Sequence, residues 1–339
     1  MKKVLLALIL SLIIVMTLGL VSTASDKFVG ENEFTVVSFN GVNAFVKNER
    51  KLLAFEDAMY WLSDNVETYN IKYVSFIGKI ANPCEHTYAS VVSKGGKTSA
   101  DLITMSLQST KWRKEYQSFY DKILPLKDVG IPMGVSGWTT DYISDGYSRE
   151  NLMAEYLNPD KIMSEDVQYD SFDDNNYVTY ITNNNVGYMI FQLEIYPRTA
   201  VLDWFKHTVQ NNLDKYAIVY TTSFLDPTGA MYTMWDWSSG FESTGTTYLY
   251  KCNLTWTDKP RDGEGIWNYA FSDCDNLIAV VSSYSKTASE ITTNKFTTKN
   301  GYDVAAVFAN ADNGIIGNNP TMLLTKISED NKEITLLVL

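Results

Sequence analysis

Hydroxyl and amine side chains stand close to the ends of several short apolar runs, where β-strands would end. A serine or threonine becomes a nucleophile only when a base is positioned beside it, and a desolvated lysine is one such base. The alternative is that each lysine fills space or pairs with an acid such as Glu85 or Asp141, and we favour it. The residues concerned are Lys79, Ser136, Thr222, Ser282, Ser283 and Lys286.

Metal-binding residue types are scarce and scattered. The chain has two histidines, His86 in a predicted loop and His207 in a predicted helix, and we expect both at the surface. Two acidic clusters offer the oxygen ligands that Ca²⁺ takes, but neither has EF-hand spacing, so we expect solvated loops. These clusters are Asp170, Asp173 and Asp174, and Asp258, Asp262 and Glu264.

Aromatic residues indicate function more clearly. Several follow Thr222 in a context rich in serine, threonine and glycine. Exposed tyrosine and tryptophan rings stack on sugars or pack against protein partners. The alternative is that these rings close over the strand-end loops as core. The candidate ligand-binding residues are Trp138, Tyr142, Tyr232, Trp235 and Trp237.

The elements that must position these residues alternate between strands and helices. We predict strands over Phe34–Phe39, Ile71–Ile77 and Ile131–Val135. Between them we predict helices over 51–65 and 106–124, the second ending before Pro125. This order predicts a mainly parallel, buried sheet. In the first helix we expect Leu52, Leu53, Ala58 and Trp61 or Leu62 to face inward.

The second half repeats the pattern after a polar stretch over 140–176, which we expect to cross the face formed by the strand-end loops. We predict a helix over 200–211 and another starting at Gly265. The last three strands are expected to be antiparallel strands of a second sheet. The predicted strands are 177–181, 186–193, 216–220, 277–281, 302–309, 321–327 and 333–338.

The strand-end loops resemble those of the calcineurin-like metallophosphoesterases, whose strands end in D-x-H/Q, GD and GNHD motifs. The segments Val36–Gly41, Tyr73–Ile80 and Ile131–Thr140 carry the resemblance, which extends from about residue 34 to residue 338. It implies an α/β sandwich of two mixed sheets flanked by helices. The family holds two divalent metal ions, which activate a hydroxide and neutralise the phosphate.

The residues at the family's ligand positions are of other types in this chain. Lys79 and Lys286 would repel divalent cations. The resemblance therefore implies a degenerate member, and we expect no metal cofactor. The former ligand positions are Phe39, Gly41, Lys79, Trp138, Thr139, Thr222, Tyr284 and Lys286.

The N-terminus is typical of an export signal. A basic pair, Lys2-Lys3, precedes an apolar run over 4–20, and Ser22-Thr23-Ala24 has the small residues of a cleavage site. We therefore predict a signal peptide over 1–24, a lead-in over 25–33 and one domain over 34–339. An uncleaved membrane anchor is the alternative. The basic start and short apolar core suggest a bacterial protein.

The net charge and the cysteine content limit which binding partners and which disulfide bonds we expect. The formal net charge of −12 disfavours nucleic acid, which requires a basic face. Cys84, Cys252 and Cys274 are too few for a disulfide framework, although Cys252 and Cys274 could pair. We expect a secreted pseudoenzyme that binds a glycan or protein through the former active-site face. The alternatives are a divergent active phosphoesterase and a structural surface protein.

Overall fold

The computed structural model describes two β-sheets packed face to face, with helices on the outer face of each. This confirms the predicted fold class. The described residues are 29–30, 32–46, 49–81, 99–137, 152–222, 224–233, 261–283, 290–310, 321–331 and 333–339.

The described strands and helices follow in chain order. The strands are β1 Phe34–Asn40, β2 Ile71–Gly78, β3 Met133–Gly137, β4 Tyr169–Asp173, β5 Asn176–Asn183, β6 Val186–Gln192, β7 Lys215–Thr222, β8 Leu277–Ser283, β9 Glu290–Thr297, β10 Asp303–Asn310, β11 Met322–Ile327 and β12 Ile334–Val338. The helices are α1 Asn43–Val46, α2 Glu49–Asp64, α3 Ser99–Asp128, α4 Leu152–Leu157, α5 Pro159–Ile162, α6 Thr199–Gln210 and α7 Gly263–Tyr269, followed by a 3₁₀ turn over Phe271–Asp273.

The first sheet has the strand order β12-β11-β1-β2-β3. As predicted, β1, β2 and β3 run parallel. Successive side chains of β1 point to opposite faces. Phe34 and Val36 lie in the core between the sheets, whereas Val37 and Phe39 lie in the core beneath α2 and α3.

The second sheet has the order β4-β5-β6-β7-β8-β10-β9, in which β6, β7, β8 and β10 are parallel. Its inner face contributes Ile190, Ile218 and Val281 to the core between the sheets. Helices α6 and α7 cover its outer face through Phe205 and Ile266. Both sheets are therefore buried on two faces, which explains their continuous apolar runs.

Helix α2 buries one apolar face, and the inward-facing residues of this helix were predicted only in part. Phe55, Ala58, Met59 and Leu62 are buried, at the spacing of one helical face. The prediction that Leu53 faces inward is wrong, because this side chain lies off this face and is 58% exposed.

Helix α3 continues through Pro125 to Asp128, so the predicted stop before this proline is wrong. A proline inside a helix removes one backbone hydrogen bond. Here the next residue, Leu126, is fully buried in the same core as Ile123. Packing of the last turn against the sheet therefore outweighs the local preference to stop.

The placement of the last strands in the second sheet is wrong for β11 and β12. Both belong to the first sheet, where β11 pairs antiparallel with β1 and β12 pairs with β11. Only β10 lies in the second sheet, parallel to β8 and antiparallel to β9. The edge strands β4 and β9 were not predicted, because their residues are largely polar.

In the described part of the chain, no helix is both long enough and apolar enough to cross a membrane. The predicted signal peptide and most of the lead-in lie outside the described residues.

Candidate functional site

The carboxyl ends of the parallel strands of both sheets meet at one edge of the sandwich. The Thr222 hydroxyl at the end of β7 donates to the Gly137 carbonyl oxygen at the end of β3, at 3.2 Å. Ser283, at the end of β8, lies beside Gly78 of β2. We call these strand-end residues the strand-end cluster. Its members are Asn40, Gly41, Gly78, Gly137, Thr222 and Ser283.

The backbone at the end of β2 requires a glycine. Gly78 has φ of +89°, in the left-handed region that other residues adopt at a cost. A Cβ atom there would lie 3.4 Å from Ser283 Oγ. The Gly41 amide donates to the Ile77 carbonyl at 3.0 Å, which ties the end of β1 to β2. Lys79 follows this turn and is half-buried.

The structure directs Phe39, which the resemblance predicts to be a former ligand position, away from the strand-end cluster. Its ring contacts those of Phe55 and Phe76, with centroid distances of 5.7 and 5.5 Å, in the core beneath the helices. The residues of β1 on the inner face near this edge are Ser38 and Asn40. In a strand, a shift of one residue moves a side chain to the opposite face of the sheet. Because the run Phe34–Phe39 is mostly apolar and does not alternate with polar residues, the sequence does not show which of its residues face the other sheet.

Three of the four candidate hydroxyls, those of Ser136, Thr222 and Ser282, are held in hydrogen bonds within the fold. The Ser136 hydroxyl donates to Gln192 Oε1 at 2.7 Å. The Ser282 hydroxyl accepts from the Leu225 amide and lies 3.3 Å from the Val307 carbonyl oxygen. The hydroxyl of Thr222 is committed to Gly137. Each hydroxyl bonds to a backbone carbonyl or a side-chain amide, so the described contacts give none of them a base.

Gln192 bridges the two sheets and was not among the predicted site residues. Besides accepting from Ser136, it donates from Nε2 to Ser75 Oγ at 2.8 Å and lies 3.3 Å from the Tyr73 hydroxyl. Its side chain occupies space above Gly134, where a Cβ atom would lie 2.4 Å from Gln192 Cγ. A glutamine at the end of the buried run Tyr188–Phe191 was the available indication.

Three buried polar atoms near the carboxyl ends of β1 and β7 have no hydrogen-bond partner among the described residues. They are Ser38 Oγ, Asn40 Oδ1 and the Tyr220 hydroxyl. Complete burial raises the pKa of the Tyr220 and Tyr73 hydroxyls well above the usual value for tyrosine, so both are neutral phenols. Buried polar atoms without partners usually accompany ordered water.

The donor set of the strand-end cluster does not fit two divalent metal ions. It comprises two hydroxyls, one side-chain amide and glycine backbone, whereas such centres use carboxylates and imidazoles. Across the described ranges, no three His, Cys, Asp or Glu side chains are grouped closely enough to share an ion. We therefore derive no hydrolytic step through metal ions at these residues.

Glu194, two residues past the end of β6, is fully buried and paired. Its Oε1 accepts from Arg198 Nε at 2.8 Å, and its Oε2 accepts from Asn176 at 3.2 Å. Arg198 also bonds Asp173 Oδ2 at 2.6 Å. These carboxylates raise the pKa of Arg198 despite its burial. One member of the first acidic cluster, Asp173, is therefore engaged by an arginine.

Of the predicted aromatic binding residues, the structure describes only Tyr232. Its ring is half-buried, contacts both helix-side cores and stacks on Tyr196 with a centroid distance of 6.3 Å. This contact is of the core type that the sequence analysis gave as the alternative. The other predicted binding residues, Trp138, Tyr142, Trp235 and Trp237, lie outside the described residues.

The remaining predictions have mixed outcomes. His207 is exposed on α6, as predicted, and contacts the side chain of Asn211. Cys274 is a free, buried thiol that donates to the Ala270 carbonyl, and burial raises its pKa to about 12. Other predicted residues lie outside the described ranges. They are Cys84, Glu85, His86, Thr139, Asp141, Cys252, Asp258, Tyr284 and Lys286.

No protein-family model matches the sequence, and no curated protein matches it. Among solved structures, the chain is similar to a purple acid phosphatase from yellow lupin (Lupinus luteus) seeds. The TM-score is 0.43 and the identity 10%, over 91% of this chain and 53% of that chain, so the chain spans about half the length of the lupin protein.

Two shorter structures match over most of their length. A dimetal phosphatase from Danio rerio has a TM-score of 0.42 and 8% identity, over 90% of this chain and 98% of that chain. A protein of Thermus thermophilus has a TM-score of 0.41 and 7% identity over the same shares. The two-sheet architecture itself rests on the strand pairing described above.

Proposed function

We propose that this protein is a secreted or surface-associated binding protein with a metallophosphoesterase-like fold that does not hydrolyse phosphate esters. Its ligand is a glycan or an extracellular protein, bound at the face formed by the strand ends and their loops. The supporting observation is the donor set of the strand-end cluster, in which Thr222, Ser283 and Asn40 supply neutral oxygens. Neutral oxygens alone do not hold the paired ions that activate a hydroxide.

The loops that continue from these strands support the same proposal by residue type. Trp138 and Thr139 follow β3, and Tyr284 and Lys286 follow β8. None is a carboxylate or an imidazole. Secretion rests on the sequence over 1–24 alone.

Metal content and turnover test the proposal. The purified secreted protein is analysed for bound metal and assayed with phosphomonoesters and phosphodiesters in Mn²⁺, Fe²⁺ or Zn²⁺, beside an active purple acid phosphatase. We expect no stoichiometric metal and no metal-dependent turnover. Two ions per chain together with metal-dependent turnover would identify a divergent phosphoesterase and overturn the proposal.

The aromatic part of the proposal has its own test. Glycan-array binding and pull-down of extracellular proteins are compared for the unmodified protein and for Trp235→Ala and Trp237→Ala. Weaker binding by both variants is expected if these rings contact the ligand. Unchanged binding would remove the two tryptophans from the binding face without affecting the question of hydrolysis.

A further inference from the structure

A polar groove lies beside α7 on the helix-covered side of the second sheet. Its volume is about 410 Å³, within the range of small-molecule sites. Of the predicted acidic cluster, it contains Asp262 and Glu264, and the remaining lining residues were not predicted as a site. The groove is lined by Thr233, Arg261, Asp262, Glu264, Gly265, Asn268 and Tyr269.

Arg261 is held in a fixed orientation in this groove. The centre of its guanidinium group lies 3.8 Å from the centroid of the Tyr269 ring, a stacked cation–π contact. The Arg261 backbone amide donates to the Pro197 carbonyl at 3.2 Å. Its Nε atom is buried and has no hydrogen-bond partner among the described residues. The stack on Tyr269 makes the guanidinium group a pre-oriented hydrogen-bond donor, although its buried Nε atom is not the one that a ligand in the groove would reach.

Tyr269 is itself anchored from a second helix. Its hydroxyl donates to Asp203 Oδ1 of α6 at 2.7 Å, and this hydrogen bond raises the pKa of Tyr269. The ring beneath the guanidinium group therefore stays neutral and in place. A rigid stack of this kind reduces the entropy that a ligand would otherwise lose on ordering the site.

Acceptor groups lie on the adjoining helix. Glu264 and Asn268 are four residues apart, so they share one face of α7, and both are exposed. Neither side chain forms a hydrogen bond or ion pair with another described residue. By contrast, Asp262 accepts from the Gly265 amide at 2.9 Å and is buried. The groove thus presents an exposed carboxylate and an exposed amide beside an oriented guanidinium.

We infer that this groove binds a neutral sugar unit through two adjacent hydroxyl groups. Arg261 donates hydrogen bonds to the hydroxyl oxygens, Glu264 accepts hydrogen bonds from the hydroxyl groups, and the Asn268 amide can donate or accept. An anionic ligand would meet the carboxylates of Asp262 and Glu264, and a cationic ligand would meet Arg261. A neutral polyol suits a groove that holds both signs of charge, because each of its hydroxyls can both donate and accept a hydrogen bond. The groove shares no residue with the strand-end cluster, so this inference goes beyond the proposed function and rests on it only for the choice of a glycan ligand.

The test uses saturation-transfer NMR on the full secreted chain with glucose, mannose, N-acetylglucosamine and cellobiose at millimolar concentrations. We expect transfer to at least one sugar. Arg261→Lys keeps the charge but loses the planar fork, and Glu264→Gln removes the charged acceptor, so each should weaken binding about tenfold or more. Glu329→Gln, at an exposed site between β11 and β12, should bind as the unmodified protein does.

Three outcomes would overturn the inference that this groove binds a sugar. They are silence toward every sugar, unchanged binding in both groove variants, and binding of a cationic probe such as spermidine that is lost in Glu264→Gln. Melting temperatures equal to that of the unmodified protein exclude misfolding of the variants. Because Asn268 is exposed, Asn268→Ala provides an independent test of the groove. Sugar binding that survives all groove variants would leave the proposed function standing. Stoichiometric metal with turnover would defeat the proposed function whatever the groove does.

Discussion

Ser136 of the first sheet and Gln192 of the second are joined inside the sandwich by a 2.7 Å hydrogen bond. Both side chains are fully buried. Since Gln192 also bonds Ser75, one glutamine satisfies hydroxyls on two neighbouring strands of the opposite sheet. Ser136 directly precedes Gly137 of the strand-end cluster, so this link sets how the two halves of that cluster face each other.

Replacing this glutamine should destabilise the protein. Gln192→Leu keeps the side-chain size but removes the acceptor or donor that the glutamine offers to the hydroxyls of Ser75 and Ser136, leaving Ser136 only a 3.3 Å contact with the Tyr220 carbonyl oxygen. Buried polar groups left unsatisfied cost about 1–3 kcal/mol each, so we expect a loss of about 2–4 kcal/mol in the free energy of unfolding. Urea unfolding measures it. Gln168→Leu, at an exposed position, should change stability by less than about 0.5 kcal/mol, and an equal loss in both variants would contradict the argument.

A methyl group at Gly134 should be tolerated poorly. The added Cβ atom would lie 2.1 Å from the Tyr73 hydroxyl oxygen and 2.4 Å from Gln192 Cγ. Overpacking of a core typically costs about 1–3 kcal/mol, and we expect Gly134→Ala at the upper end. Gly130→Ala is the control, because no atom lies within 4 Å of its Cβ position and only its φ of +74° opposes alanine. A melting temperature of Gly134→Ala equal to that of the unmodified protein would contradict the steric overlap, whereas Gly130→Ala shows the cost of backbone strain alone.

Asp273 should stabilise the folded protein at neutral pH, and this contribution should be lost at acidic pH. Its carboxylate bonds Lys206 and Lys299, each at 2.5 Å, and these contacts lower its pKa in the folded state. A lowered pKa stabilises the fold above the unfolded value of about 3.9, and this contribution disappears as the pH falls through the folded value. At neutral pH, Asp273→Asn should cost about 1 kcal/mol.

The pH profile provides the measurement for Asp273. The stability difference between the unmodified protein and Asp273→Asn should be constant near neutrality and shrink as the pH falls below about 4. Asp64→Asn, an exposed carboxylate at the end of α2, serves as the matched control. A difference that grows on acidification would have the wrong sign and would refute the role given to the two lysines.

Chelation should leave thermal stability unchanged. A divalent ion present at a hundred times its dissociation constant adds about 2.7 kcal/mol to the folded state, which removal would abolish. Because the strand-end cluster offers only neutral donors, EDTA should not shift the melting temperature, nor should added Mn²⁺ or Zn²⁺ raise it. A drop of several degrees on chelation, restored by metal, would indicate ligands supplied by other parts of the chain.

The fold was predictable from the sequence where burial dictates residue type. Runs such as Val36-Val37 and Ile218-Val219 are apolar because both faces of their strands are covered, so the parallel strands were found nearly at their true ends. The edge strand β4 carries Asp170, Ser171 and Asp173, and its polarity imitates a loop. The predicted end of helix α3 before Pro125 was wrong for a different reason. The burial of Leu126 outweighs the local preference of proline to end a helix.

The site was predictable only in its location. Parallel strand order places Gly78, Gly137 and Thr222 at one edge, and the strand pairing and the Thr222 hydrogen bond agree with this. Which face each residue occupies depended on register, and the run that contains Phe39 gave no alternation to fix it. Arg261 and Tyr269 are eight residues apart with no motif, so their stacking became visible only in three dimensions.

The pairing of β1 with β11 has a consequence for how the chain folds. Phe34 lies opposite Ile327, so the first strand acquires this neighbour only from the far end of the sequence. Contacts of such long sequence separation form slowly, since the intervening chain must first be closed into a loop. During synthesis the second sheet can assemble while one edge of β1 is still open. The first sheet to be translated is therefore the last to be completed.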